Sequence, residues 1–62
     1  MKVYFRGKIY EYAGMIMVKD LLKDLALSAQ AVLVIKNNEV ITEDEFVGET
    51  DEVRVISAIS GG

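Results

Sequence analysis

Val3 and Phe5 alternate with Lys2, Tyr4 and Arg6. A period of two predicts a first strand from Lys2 to Arg6 with one apolar face. Gly7-Lys8 offers a tight turn, and Ile9 to Ala13 reads as a second strand that completes a hairpin. Either Tyr10 and Tyr12 face inward, or Ile9 does together with Glu11. The tyrosines are the better choice, because a buried carboxylate is costly. Gly14 ends that strand. Val18, Leu21, Leu22 and Leu25 stand at i, i+3, i+4 and i+7, which predicts a helix from about Met17 to Leu27. Lys19, Asp20, Lys23 and Asp24 fall on its opposite face. No Ser, Thr, Asp or Asn stands just before Val18 to cap it.

Ala31 to Ile35 is a β-branched run, and it reads as a central strand buried on both faces. Asn37-Asn38 suits a tight hairpin turn with positive φ. Glu39-Val40-Ile41 is the return strand. Thr42 and Glu45 have capping-box spacing, which predicts one helical turn carrying Phe46 and Val47 into the core. Gly48 ends it. The last strand is expected from Glu52 to Ser60, with Val53, Val55, Ser57 and Ile59 on one side. The order is ββαββ, a short helical turn, then β. This is an α+β domain whose single helix covers one face of a mixed sheet of about five strands. The first and last strands are expected side by side and parallel in the middle.

Sixty-two residues allow a single domain, spanning 1–62, and 52% hydrophobic content allows a small core. There is no Cys and no His. Disulfides, thiolate or imidazole metal sites, Cys nucleophiles and imidazole bases are therefore excluded. The acids lack EF-hand spacing, so no metal site and no catalytic residue is assigned. The net charge of −3 argues against nucleic acid. No apolar run is long enough to span a bilayer, and Lys2 and Arg6 come too early for a signal peptide. A cytoplasmic protein working through partners is expected.

Charge is uneven. Residues 1–38 hold six Lys/Arg against three acids, and residues 39–62 hold seven acids against one Arg. The acidic half is either a solvated face or a docking face for a basic partner.

Ser60-Gly61-Gly62 follows a strong strand directly. A short glycine tail, residues 60–62, can be frayed and inert. It can also thread a narrow channel in another protein's active site, Ser60 and Gly61 passing through it, and present the Gly62 carboxylate. A carboxylate needs activation before a nucleophile will attack it. The chain has no phosphate-binding glycine loop, so ATP would be used by a partner enzyme and no cofactor is bound here.

The element order, the Asn37-Asn38 hairpin, the Asp51-Glu52-Val53 start of the last strand and the end Ile56-Ser57-Ala58-Ile59-Ser60-Gly61-Gly62 resemble the ThiS/MoaD family of ubiquitin-like sulfur carriers. The resemblance covers nearly the whole chain and looks closer to ThiS. It implies a β-grasp fold and a non-enzymatic role. An E1-like enzyme of the ThiF/MoeB type would adenylate Gly62. A sulfur donor would then leave a thiocarboxylate for thiazole synthase or another acceptor. Molybdopterin synthesis, tRNA thiolation and conjugation to lysines as a ubiquitin-like modifier are alternatives, and so is a plain binding module with an inert tail. The apolar Met15-Ile16-Met17 segment departs from many relatives. It marks either a displaced helix start or an exposed contact.

Strand parity adds a candidate interface. If Val53 and Val55 face the helix, Ile56 and Ala58 face out beside Tyr4, flanked by Arg6 and Arg54. The resemblance implies that this face meets the activating enzyme.

Overall fold

The computed structural model describes residues 1–58. The expected end of the last strand and the Ser60-Gly61-Gly62 tail lie outside the described residues. Strand β1 (Lys2–Phe5) pairs antiparallel with β2 (Lys8–Glu11), with Val3 opposite Tyr10 and Tyr4 opposite Ile9. The turn is Arg6-Gly7, with φ of 51° and 78°, one residue earlier than Gly7-Lys8. A two-residue primed turn needs positive φ at both positions. Shifting it by one would turn Tyr10 away from the core. Tyr10 and Tyr12 do pack against the core, and Ile9 is 56% exposed. Strand β2 stops two residues before Ala13. Tyr12 is instead tied to the N-terminus by reciprocal bonds with Met1 of 2.9 and 3.0 Å. Its hydroxyl donates to Asp24 at 2.6 Å. Burial and the Asp24 carboxylate push the Tyr12 phenol up to about 12.

Ile16–Met17 forms a short strand, β3, and helix α1 (Val18–Asp24) follows at once. The helix buries Val18, Leu21 and Leu22. It ends three residues before Leu27. Ala26 adopts φ 59°, its N–H bonds the Lys23 carbonyl, and the Leu27 N–H bonds the Leu22 carbonyl at 2.8 Å. This is a Schellman end with alanine where glycine is usual. Left-handed backbone costs alanine about 1–2 kcal/mol, and glycine gives back about 0.5–1 kcal/mol as unfolded-state entropy. We predict that Ala26→Gly raises stability by about 0.5–1 kcal/mol. An unchanged or lower urea midpoint would contradict this reading of the helix end.

The missing N-cap side chain has a backbone substitute. The Val18 N–H bonds the Glu45 carbonyl at 2.8 Å, and the Lys19 N–H bonds the Glu43 carbonyl at 3.0 Å. Two otherwise unpartnered donors of the first turn are thereby satisfied.

Strand β4 (Val32–Lys36) and β5 (Glu39–Ile41) form the second hairpin. Its turn, Asn37-Asn38, has φ of 49° and 73°, as expected. Strand β4 is buried on one face only: Val32 and Val34 are buried, whereas Leu33 is 45% exposed. A single helix leaves the other face of the sheet uncovered. The expected helical turn after Thr42 does not form. The Thr42 N–H bonds the Glu45 side chain at 3.1 Å, which is half of a capping box, and the Glu45 N–H closes a turn onto the Thr42 carbonyl. Phe46–Val47 then forms strand β6, antiparallel to β3, with Met17 opposite Phe46 and Ile16 opposite Val47. This two-stranded ribbon accounts for Ile16 and Met17, while Met15 precedes it and stays 74% exposed. Val47 enters the core, while Phe46 stays 49% exposed.

Strand β7 (Glu52–Ser57) is the centre of a five-stranded sheet ordered β2-β1-β7-β4-β5. It runs parallel to β1 and antiparallel to β4. The core lies between this sheet, α1 and the ribbon. Val3, Val53, Val55 and Val34 from the sheet meet Leu21, Leu22 and Val18 from the helix, with Val47 beside them.

Candidate functional site

Every inward residue of the sheet has outward neighbours, and these form the candidate docking face. Pairing places Ile9, Tyr4, Arg54, Ile35 and Val40 in one row across all five strands. Ile56 and Leu33 make the next row toward the C-terminal end of β7. Ile56 is 46% exposed, Tyr4 36% and Val40 65%. Exposed apolar side chains gathered on one face make it a candidate contact surface.

Of the residues expected here, Tyr4, Arg54, Ile56 and Ala58 are exposed, and the strand pairing sets Arg54 beside Tyr4. Arg54 sits between Tyr4 and Ile35, and its guanidinium lies 3.6 Å from the Glu52 carboxylate. Arg6 stands apart. It belongs to the hairpin turn, with its guanidinium carbon 5.2 Å from the centre of the Phe5 ring. Leu33, Val40, Ile9 and Ile35 complete the face, and sequence reasoning missed them. The Asn37-Asn38 hairpin was the available signal for two of them, since a two-residue turn there sets Val40 opposite Ile35. Gly62, Gly61 and Ser60 lie outside the described residues.

Local chemistry fixes where β7 begins, and so where its far end points. The Asn37 amide donates to Asp51 at 2.9 Å, and its carbonyl accepts from the Glu52 N–H at 2.9 Å. The other Asp51 oxygen accepts from the Gly48 N–H at 2.7 Å. The Gly48 N–H first, then the Asn37 amide and the Lys36 ammonium, hold the Asp51 carboxyl below the usual carboxylate range, against the opposing effect of burial. A depressed native value means that this bracket stabilises the fold above the ordinary carboxylate range. The contribution is lost as pH falls through the native value. Ordered this way, β7 carries the chain past the apolar face to Ala58, where the Ala58 N–H bonds the Ala31 carbonyl at 2.8 Å.

Among the described residues, no group of three His, Cys, Asp or Glu side chains is placed to hold a metal ion. No helix among them is long and apolar enough to cross a membrane. Among the described residues the arrangement presents a surface.

A mixed five-stranded sheet grasping one helix, with its first and last strands parallel at the centre, defines a β-grasp protein. The model of the ThiS family matches residues 3–62, and the chain belongs to that family. Sulfur carrier protein TtuB of Thermus thermophilus is 34% identical over 55 residues, covering 89% of this chain and 85% of the relative. The crystal structure of the thiamine biosynthesis protein ThiS of Geobacter metallireducens superposes with a TM-score of 0.69 at 28% identity, covering 100% of both chains.

Proposed function

We propose that this chain is a sulfur carrier, a protein co-substrate whose C-terminal Gly62 is the reacting group. An E1-like enzyme uses ATP to convert the Gly62 carboxylate into an acyl-adenylate, releasing pyrophosphate. A sulfur donor then displaces AMP and leaves a thiocarboxylate. That sulfur passes to an acceptor enzyme, in our reading the one that forms the thiazole of thiamine. The carrier works in the cytoplasm between these partners and binds no cofactor itself.

One observation carries the reading: the family match runs through residue 62 and so includes Gly61-Gly62. The apolar face lends support, because it lies on the strand that leads to those glycines. The ThiS relative, equal in extent to this chain, favours thiazole formation. The TtuB relative supports carriage of sulfur without naming an acceptor.

The face is the proposed surface for the activating enzyme, with Tyr4, Ile56 and Ala58 making apolar contact and Arg54 meeting a carboxylate. Ile56→Asp places a charge in the middle of this contact. The side chain is exposed, so the melting temperature should hold. We predict that kcat/KM for Gly62 adenylation falls roughly 10- to 100-fold, the usual effect of disrupting a central apolar anchor. Adenylation at the wild-type rate would remove this face from the interface.

A further inference from the structure

The sheet has an opening that the carrier role does not use. Strand β5 ends at Ile41, opposite Val34, while β4 continues back to Val32. The bonds Ala58 N–H to Ala31 carbonyl and Asn37 N–H to Glu52 carbonyl fix the alternation along β4. Residues 31, 33, 35 and 37 turn their backbone groups toward β7, and residues 32, 34 and 36 turn theirs toward β5. Val34 and Lys36 have partners there, Ile41 and Glu39. For Val32 the strand has already ended. Its N–H and carbonyl therefore face the free side, into a groove of about 340 Å³ lined by Val18, Leu22, Val32, Ile41 and Glu43 and bordered by Leu33 and Val40 at the edge of the outer face.

We propose that this groove is a strand-addition site for an extended segment of a partner protein. The segment would have alternating apolar residues and a Lys or Arg among them. Three features select this occupant. The Val32 N–H and carbonyl supply one donor and one acceptor at strand spacing, which an extended backbone satisfies. Val18, Leu22 and Ile41 line the groove with aliphatic surface, which suits alternate apolar side chains. Glu43 is at its margin, exposed and in neither of the ion pairs found among the described residues, so it suits a cation. Val32 also stands opposite Ser57, at the end of β7 from which the chain continues to Gly62. A partner held here borders Val40 at the end of the outer row but does not reach Tyr4 or Arg54. The inference goes beyond the carrier chemistry and does not depend on it.

The test uses the full-length ¹⁵N-labelled chain and an acetylated, amidated hexapeptide alternating valine with arginine and threonine. Titration should shift the amides of Val18, Leu22, Val32 and Ile41, and slow hydrogen exchange at Val32, while Tyr4, Arg54 and Ile56 stay still. Raising the salt, or Glu43→Gln, should weaken binding about three- to tenfold. Glu43 holds the helix start through its main-chain carbonyl, which glutamine keeps, so this variant retains its structure. Val32→Pro deletes the outward N–H without touching the pairing to β7, and it should abolish binding. Shifts centred on Tyr4 and Ile56, or no shifts at millimolar peptide, would overturn the proposal. So would Val32 protection that grows with protein concentration in the absence of peptide, since the occupant would then be a second copy of this chain.

Discussion

A single alanine added after Gly62 is expected to abolish thiocarboxylate formation and leave the melting temperature unchanged. In the proposed mechanism the reacting group is a carboxylate on a carbon that no side chain crowds. Alanine puts a Cβ beside that carbon and lengthens the tail by one residue, about 3.5 Å. The reacting carbon then no longer meets the α-phosphate of ATP in an active site built for the shorter chain. Displacements of about 1 Å can cost on the order of 100-fold in rate, so a whole residue should leave no measurable product. The fold should not notice, because the buried core residues among the described ones all lie within 3–55. Deleting Gly62 should have the same outcome. An extended chain that still accepted sulfur at its new terminus would place the chemistry elsewhere.

Leu21→Ala is expected to do the opposite, removing the fold and activity with it. Leu21 is the largest fully buried side chain, at 0% exposure in the middle of α1. A buried Leu→Ala change costs about 2.7–5 kcal/mol through lost transfer energy and the cavity left behind. A domain of this size holds roughly 3–5 kcal/mol in all. No disulfide compensates, because the chain has no cysteine. The variant should be largely unfolded at 37 °C, or melt some 15 °C or more below the parent. Leu33→Ala is the control. Leu33 is 45% exposed on the uncovered sheet face, so its loss should cost under about 1 kcal/mol. Similar losses from both changes, read from urea midpoints, would mean that the sheet's outer face is covered in solution.

Much of this was legible in the sequence, and the physical reasons are specific. The Asn37-Asn38 turn was visible because few residues besides Gly accept positive φ so readily. The inward tyrosines followed from the cost of burying Glu11. The parallel pairing of the first and last strands followed from one helix supplying the crossover. The misses share a different cause, since backbone partners came from distant sequence. The helix start looked unspecified because its caps are main-chain carbonyls of Glu43 and Glu45, which any residue would offer. For the same reason Phe46-Val47 looked like part of a helical turn, although a partner strand, Ile16–Met17, held it extended. The helix end was misplaced because alanine at a left-handed position sends no signal. On the candidate site, parity located Ile56 and Tyr4. Leu33 and Ile35 were hidden in a run whose composition reads the same whether one face is buried or two.

The central claim is that Gly62 carries sulfur, and the most direct test is the intact mass of the full chain recovered from its own cells. A repeat follows incubation with ATP, a sulfur donor and the E1-like enzyme. The account predicts a free form in which one oxygen at Gly62 is exchanged for sulfur, with no larger species. An unchanged mass in both samples would contradict it. So would a recovered population joined through Gly62 to lysines of other proteins, since the chain would then be a modifier.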